Sequence, residues 1–366
     1  MGIAYSSVTD TPSPPTAATV LERLRDIVTA VRVVSPTQFT FQQHRYDVDA
    51  MALPAAATPN PLLVLLTQTL YERCYCARLG APNTVATGAM PTPQLTEHDA
   101  VAQLDFQRSL AAANTSYDAW ELGWRVSRTM PDGHVLATKN DLSRTFAPGG
   151  YLTTGMPGAA PAVGGLLRIP MPRDSWTTQL GYYYAFGASL TDAQDDTDIV
   201  RLYWNVRADG SAPLLRTLTT TLNRYAIPFK YKCQIHPLAY ERVDGTVLFI
   251  SRRHFRITVE ALVDVYDRVA IHLDDEVPLF TRFLRPGLSV AEDPGTGESF
   301  GMHRMAIVAN GLWSAFTANA QRMDARLDAM RAAFTSAGMS IDAPHLRPGS
   351  RATYHFPDGT DAAIQE

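Results

Sequence analysis

Lysine is scarce in this chain. Among 366 residues only Lys139, Lys230 and Lys232 are lysines, against 29 arginines. A GC-rich genome that writes arginine wherever a positive charge suffices gives the same bias; the sharper reading is that a surviving lysine serves where losing a proton has a use, which arginine cannot do. Cysteine is equally sparse. Cys74, Cys76 and Cys233 are too few for a disulfide scaffold, and the spacing of the first two fits no common zinc pattern. Charged residues make up 19% of the chain, and the net charge is -4. That balance argues against nucleic acid or an anionic membrane as a partner. No long apolar run is present: the most apolar stretch, 61–79, carries Glu72 and Arg73 and is expected to be a buried helix rather than a membrane span. Residues 1–19 lack the basic flank and apolar core of a secretory signal. Together these absences favour a reducing, cytoplasmic setting.

Hydrophobic residues reach 46%, enough for a sizeable core and too many for a chain disordered throughout. Residues 1–18 read as a flexible leader. Residues 19–115 read as mostly helical, with apolar residues at helical spacing over 20–34, 61–79 and 97–114. From Trp120 the pattern changes to strands, beginning with a hairpin around Pro131-Asp132-Gly133. Further strands are expected at 166–171, 180–187, 199–207, 228–236 and 246–252. Helices are expected at 211–226, at 254–275, from Ser299 onward and at 321–337, with a Gly/Pro loop over 286–298. The order predicts an α+β fold: a helical N-terminal part, then a mainly antiparallel sheet flanked by helices over 116–350, and a tail at 351–366.

Two strands alternate cleanly. In one, Arg201, Tyr203, Asn205 and Arg207 share a face; in the other, Lys230, Lys232, Gln234 and His236 do. As neighbours, these faces would offer a cationic surface suited to a phosphorylated ligand. An ordinary half-solvated sheet shows the same alternation. A second feature runs from Glu292-Asp293-Pro294-Gly295 through Gly297-Glu298 to Ser299 at a helix start, with His303 and Arg304 one turn in. A helix N-terminus attracts phosphate, although the lysine of a nucleotide-binding loop is missing. Gly297-Glu298-Ser299-Phe300-Gly301 matches a hydrolase nucleophile elbow in letters only, since no strand leads into it. No helical His pair suggests structural zinc.

A set of strings spread over roughly residues 60–350 carries a resemblance. They are Tyr117-Asp118-x-x-Glu121-x-Gly123-Trp124, Gly181-Tyr182-Tyr183-Tyr184-Ala185, Val200-Arg201-Leu202-Tyr203-Trp204-Asn205, Leu222-Asn223 with Ile227-Pro228-Phe229-x-x-Lys232, Ala291-Glu292-Asp293-Pro294-Gly295 and Ser299-Phe300-Gly301-x-His303-Arg304. As a set they resemble the HopA-type effector family, named for a type III secreted effector of plant pathogens. Its actinobacterial branch lies beside aminoglycoside-phosphotransferase-like kinases in class V lanthipeptide and thioamitide pathways. The resemblance implies a lyase that eliminates phosphate from phosphoserine or phosphothreonine of a ribosomal precursor peptide, giving dehydroalanine or dehydrobutyrine. It implies that kinase and that peptide as partners. A non-catalytic phosphopeptide- or leader-binding module, or an effector acting by protein contact, would use the same surface.

Elimination needs a base for the α-proton, an acid for the leaving oxygen and cations around phosphate. Lys232 is the expected base, its proton affinity lowered by Lys230 on the same face. His303 or His236 is the expected acid. Arg201, Arg304, Lys230 and Ser299 are expected to bind phosphate, with Tyr203 and Asn205 orienting it. No metal or organic cofactor is expected, because phosphate is already a good leaving group.

Overall fold

The computed structural model describes residues 17–48, 60–77, 97–140, 142–155, 158–189, 191, 195 and 197–357. All but the last two residues of the expected leader, most of the Pro-rich stretches near 53–61 and 90–93, and the end of the tail lie outside them. Helix α1 (Ala17–Ala30) stops four residues short of the expected end and becomes strand β1 (Val31–Ser35). Val31, Val33 and Val34 crowd a helical turn but suit a pleated strand. Strands β2 (Gln38–Phe41) and β3 (His44–Asp47) complete a three-stranded antiparallel sheet. Asn60 caps helix α2 (Pro61–Leu70) by accepting from Leu62 N at 3.1 Å, and Pro61 opens it. The helix then widens into a π-helical turn, Tyr71–Tyr75. Helix α3 (Glu97–Ala113) follows.

A five-stranded antiparallel sheet comes next: β4 (Ala119–Thr129), β5 (Val135–Lys139), β6 (Leu142–Phe146), β7 (Leu152–Thr153) and β8 (Leu166–Met171), ordered β6-β5-β4-β8-β7. Its own small core is Trp124, Val126, Val135, Ala137 and Leu167. Lys139 donates to Glu121 here at 3.0 Å, so the first of the three lysines is an ion-pair partner.

The largest sheet has seven strands, all paired antiparallel in the order β14-β15-β11-β13-β12-β10-β9. They are β9 (Asp174–Ser175), β10 (Tyr182–Phe186), β11 (Ile199–Trp204), β12 (Lys230–Gln234), β13 (Thr246–Ser251), β14 (Arg282–Arg285) and β15 (Leu288–Glu292). Strand β15 falls inside the expected 286–298 loop. All five of its residues are buried, so it shows no period-two signal, and the Pro-Gly pairs flanking it read as loop. Between the strands run α4 (Ala208–Arg224), α5 (Phe255–Ala261) and α6 (Val263–Val269); α7 (Phe300–Thr317) and α8 (Met323–Ser336) follow. The single helix expected over 254–275 is thus two short ones.

Each sheet face has its own core. Val200, Leu202, Trp204, Tyr231, Leu248 and Val290 pack beneath α4, α5 and α6. Tyr203, Val247 and Ala291 on the other face join Phe300 of α7 and, through it, residues of α1, α2 and α8. The fold is α+β, as the order of elements predicts. Among the described residues no helix is long and apolar enough to cross a membrane.

Candidate functional site

Directly opposed residues of antiparallel strands point to the same face. One row across the sheet is Arg201, Phe249, Lys230 and Phe186; the next is Tyr203, Val247, Lys232 and Tyr184. The register therefore brings Arg201, Lys230 and Lys232 onto one face, with β11 and β12 about 10 Å apart across the intervening β13. Each cation rests against a ring. The Arg201 guanidinium lies 5.5 Å and Lys230 Nζ 5.7 Å from the Phe249 centroid, while Lys232 Nζ lies only 3.7 Å from that of Tyr182. These side chains make a cationic strip on that face of the sheet, the trough.

Lys232 is half-buried and Lys230 exposed. Burial is the main reason that the Lys232 ammonium is pushed down to about 8. Asp244 opposes the shift, and the positive charges of Arg201 and Arg242 add to it. Lys230 plays no part in that shift, contrary to expectation. It projects into solvent, where its charge is screened. Among the described residues no hydrogen bond or ion pair holds Lys232 Nζ.

Next to Lys232 lies a group that the strand patterns do not reveal. Arg242 donates through Nε and Nη2 to the two carboxylate oxygens of Asp244, each at 3.0 Å. Arg242 Nη2 also donates to the Tyr71 hydroxyl at 3.0 Å, and that hydroxyl donates to Asp244 at 3.2 Å. The Cys76 thiol lies 3.8 Å from the same carboxylate. The π-helical turn after α2 puts Tyr71 in this place, and such turns are frequent at functional sites. Burial raises the phenol of Tyr71 and the thiol of Cys76, so both stay protonated. Arg242 and Asp244 sit in the short connection leading into β13, and the only sequence signal for them is the turn-like Asp244-Gly245.

Arg201 reaches the trough already paired. Its Nε donates to Asp293 at 2.8 Å, its Nη2 bonds the same oxygen, and Nη2 also donates to the Glu298 carbonyl at 3.1 Å. The other oxygen of Asp293 accepts from Gly295 N at 2.9 Å, folding the Gly-rich loop. Arg201 is thus the post to which that loop is tied. Tyr203 is buried beside Arg201 and Tyr75, with Phe300 packed 6.3 Å from its ring.

Other expected site residues have different work. Arg304 is fully buried. It donates to the carbonyls of Pro344 at 2.7 Å and Leu346 at 2.9 Å, stacks on Phe300, and is held down to about 10 by burial. It fastens α7 to the C-terminal segment and is not available to phosphate. Ser299 Oγ caps α7 by accepting from Met302 N at 3.2 Å. Asn205 is buried past the end of β11, where its amide donates to the Glu276 carbonyl at 3.1 Å, away from the cations. His236 Nδ1 accepts from Leu238 N at 3.1 Å and caps a 3-10 turn. His303 Nδ1 lies 2.8 Å from Arg304 Nη1, and burial followed by the Arg304 charge lowers its proton affinity. A neutral imidazole is a weak acid, so His303 lacks the setting of a proton donor, and the Nδ1 of His236 is engaged in its turn cap. Glu292 belongs to the opposite face. It accepts from Ser350 Oγ at 2.6 Å, Tyr354 hydroxyl at 2.7 Å and Arg347 N at 2.7 Å.

Among the described residues no group of three or more His, Cys, Asp and Glu side chains could hold a metal ion. A recess of about 960 Å³ opens between α4 and the α5–α6 pair and is lined by none of the expected site residues. The shifted lysine Lys232 lies in the trough, not in this recess.

Two solved structures resemble the chain. One is the effector protein from Pseudomonas syringae pv. tomato strain DC3000, at 16% identity over 82% of this chain and 93% of that one, with a TM-score of 0.43. The other is the effector protein from Pseudomonas syringae pv. syringae strain 61, at 15% identity over 70% of this chain and 85% of that one, with a TM-score of 0.39. None of the curated proteins matches. The model of the HopA1 effector protein family matches residues 173–346, which hold every strand of the seven-stranded sheet.

Proposed function

We propose that the chain is a phosphoserine/phosphothreonine lyase acting on a kinase-phosphorylated ribosomal precursor peptide. One observation carries the reading: a half-buried lysine amine without a hydrogen-bonding partner among the described residues, lowered to about 8, stands in a trough with two arginines. In the proposed step Lys232 Nζ takes the α-proton. The C–H electron pair becomes the Cα=Cβ double bond, the Cβ–O bond breaks, and inorganic phosphate leaves with that bonding pair. Lys230 and the outer edges of Arg201 and Arg242 would meet the phosphate charge, the role of preorganised cations at a developing anion. Arg242 takes the place first given to Arg304. The kinase that supplies the phosphate, of the aminoglycoside-phosphotransferase-like type, is the expected partner.

The test is the mass of a synthetic phosphothreonine peptide incubated with the protein alone. Loss of phosphoric acid in the parent chain and not in Lys232→Arg supports the lyase. Saturable binding with unchanged mass would instead make the trough a phosphopeptide-binding module.

A further inference from the structure

Among the described residues Lys232 and the exposed Lys230 are the cations of the trough with no hydrogen bond or ion pair, and of these two Lys232 is the half-buried one. Arg201 is tied to Asp293 and Glu298, and Arg242 to Asp244 and Tyr71. A lysine amine rides on four rotatable carbons and, left alone, samples many directions. Here it stands 3.7 Å from the centroid of the Tyr182 ring, much nearer than the roughly 6 Å at which such contacts begin to count. The ring is itself fixed. Tyr182 pairs directly with Gln234 across β10 and β12, and Lys232 pairs with Tyr184 two residues on, so seat and amine belong to one register.

We propose that Tyr182 is a positioning residue: its ring seats the Lys232 amine and keeps Nζ aimed into the trough. The proposal rests on the lyase reading for its purpose but not for its physics. A ring face attracts the ammonium form and not the free amine, so the seat works against burial. The other groups facing Nζ are Asp244, which favours the proton, and Arg201 and Arg242, which disfavour it. Tyr71, Cys76 and Tyr182 are raised by burial and stay neutral. Removing the ring while keeping its bulk should therefore let the lysine lose its proton more easily and lose its aim as well.

The three-lysine composition makes a direct test possible. Lysine labelled with 13C and 15N in the full chain gives three side-chain signals, assigned through Lys139→Arg and Lys230→Arg. The parent Lys232 signal is expected to titrate near 8. Tyr182→Phe keeps the ring and should move that midpoint by no more than about 0.3 pH unit, whereas Tyr182→Leu should lower it by about one unit. Tyr182→Met is the second ringless variant, should leucine disturb the sheet. A midpoint in both ringless variants equal to or above the parent value overturns the proposal.

Phosphate release from the phosphothreonine peptide is the second readout. The acid limb of the rate profile should move down with the NMR midpoint, and kcat should fall about tenfold or more with KM little changed. Loss of kcat with an unmoved acid limb would mean a merely structural tyrosine and also count against the seat. The two readings fail separately. A shifted titration in a parent chain that releases no phosphate leaves the seat standing and removes the lyase. Phosphate release with no shift removes the seat alone.

Discussion

At the scale of the residue, Lys232 and Arg304 show why a charged side chain in a strand or helix cannot be assigned a role from its type. Lys232 keeps a free amine in a half-buried place, where protonation is disfavoured. Lys232→Arg keeps the charge and most of the reach but cannot accept a proton. It should bind phosphopeptide as the parent does and lose about 10²-fold or more in single-turnover phosphate release, the scale of a lost general base. Release at the parent rate would make Lys232 an electrostatic anchor only. Arg304 is the converse case. Both of its carbonyl contacts are internal, so Arg304→Lys should leave phosphopeptide affinity unchanged. A lysine cannot reproduce the forked geometry, and one buried carbonyl left unsatisfied should cost about 1–3 kcal/mol. Urea unfolding, read beside a binding isotherm, separates the two outcomes. Weaker binding at unchanged stability would return Arg304 to the site.

At the scale of the element, the trough depends on how closely α7 lies against the π-helical turn. Gly301 makes that approach possible. A Cβ there would stand 2.3 Å from one Tyr75 ring atom and 2.7 Å from a Tyr71 ring atom, and both rings are held in packed positions. Gly301→Ala should therefore destabilise the chain by about 1–3 kcal/mol, the usual penalty of overpacking. It should also disturb the site, because Tyr71 supports Arg242 and Asp244 beside Lys232. A melting temperature within a degree of the parent value would show that α7 can move off the turn at little cost. Period-two alternation identified the cationic strands correctly, since β11 and β12 bury an apolar face while Arg201, Lys230 and Lys232 on the other face stay partly exposed. It failed for β15, buried on both faces, and for β1, which continues directly from a helix.

At the scale of the whole molecule, the C-terminal segment is bound to the sheet through one buried carboxylate. Glu292 is fully buried on β15. Burial would raise its proton affinity, but the Arg347 N–H, the Ser350 and Tyr354 hydroxyls and the Arg252 charge outweigh burial and hold it below the usual range. A carboxyl lowered in the folded state stabilises the fold above its unfolded pKa of about 4.3, and that contribution is lost as pH falls through the folded value. The parent chain should therefore lose urea resistance below about pH 4 more steeply than Glu292→Gln does. The variant should already be weaker at pH 7, by about 3 kcal/mol or more, since Arg252 and Arg347 lose a buried partner. Equal pH slopes in the two proteins would exclude Glu292 as the acid-sensitive group.

Composition and periodicity by themselves determined much of this protein. The α+β class, seven strands of the two larger sheets, the helix start at Ser299 and the cationic face of each of β11 and β12 follow from local pattern, because local backbone preference and one-sided burial leave marks on neighbouring residues. The scarcity of lysine pointed to Lys232 by the same local logic. Tertiary structure alone decided what surrounds that lysine. Tyr71 and Asp244 stand 173 residues apart in the chain and meet only because α2 crosses the sheet near the connection into β13. Arg304 looked like a ligand because one turn of helix gives no sign of which side faces the interior. Hydrogen-bond partners, burial and the charges around an amine are properties of contacts between distant segments, and no local spacing records them.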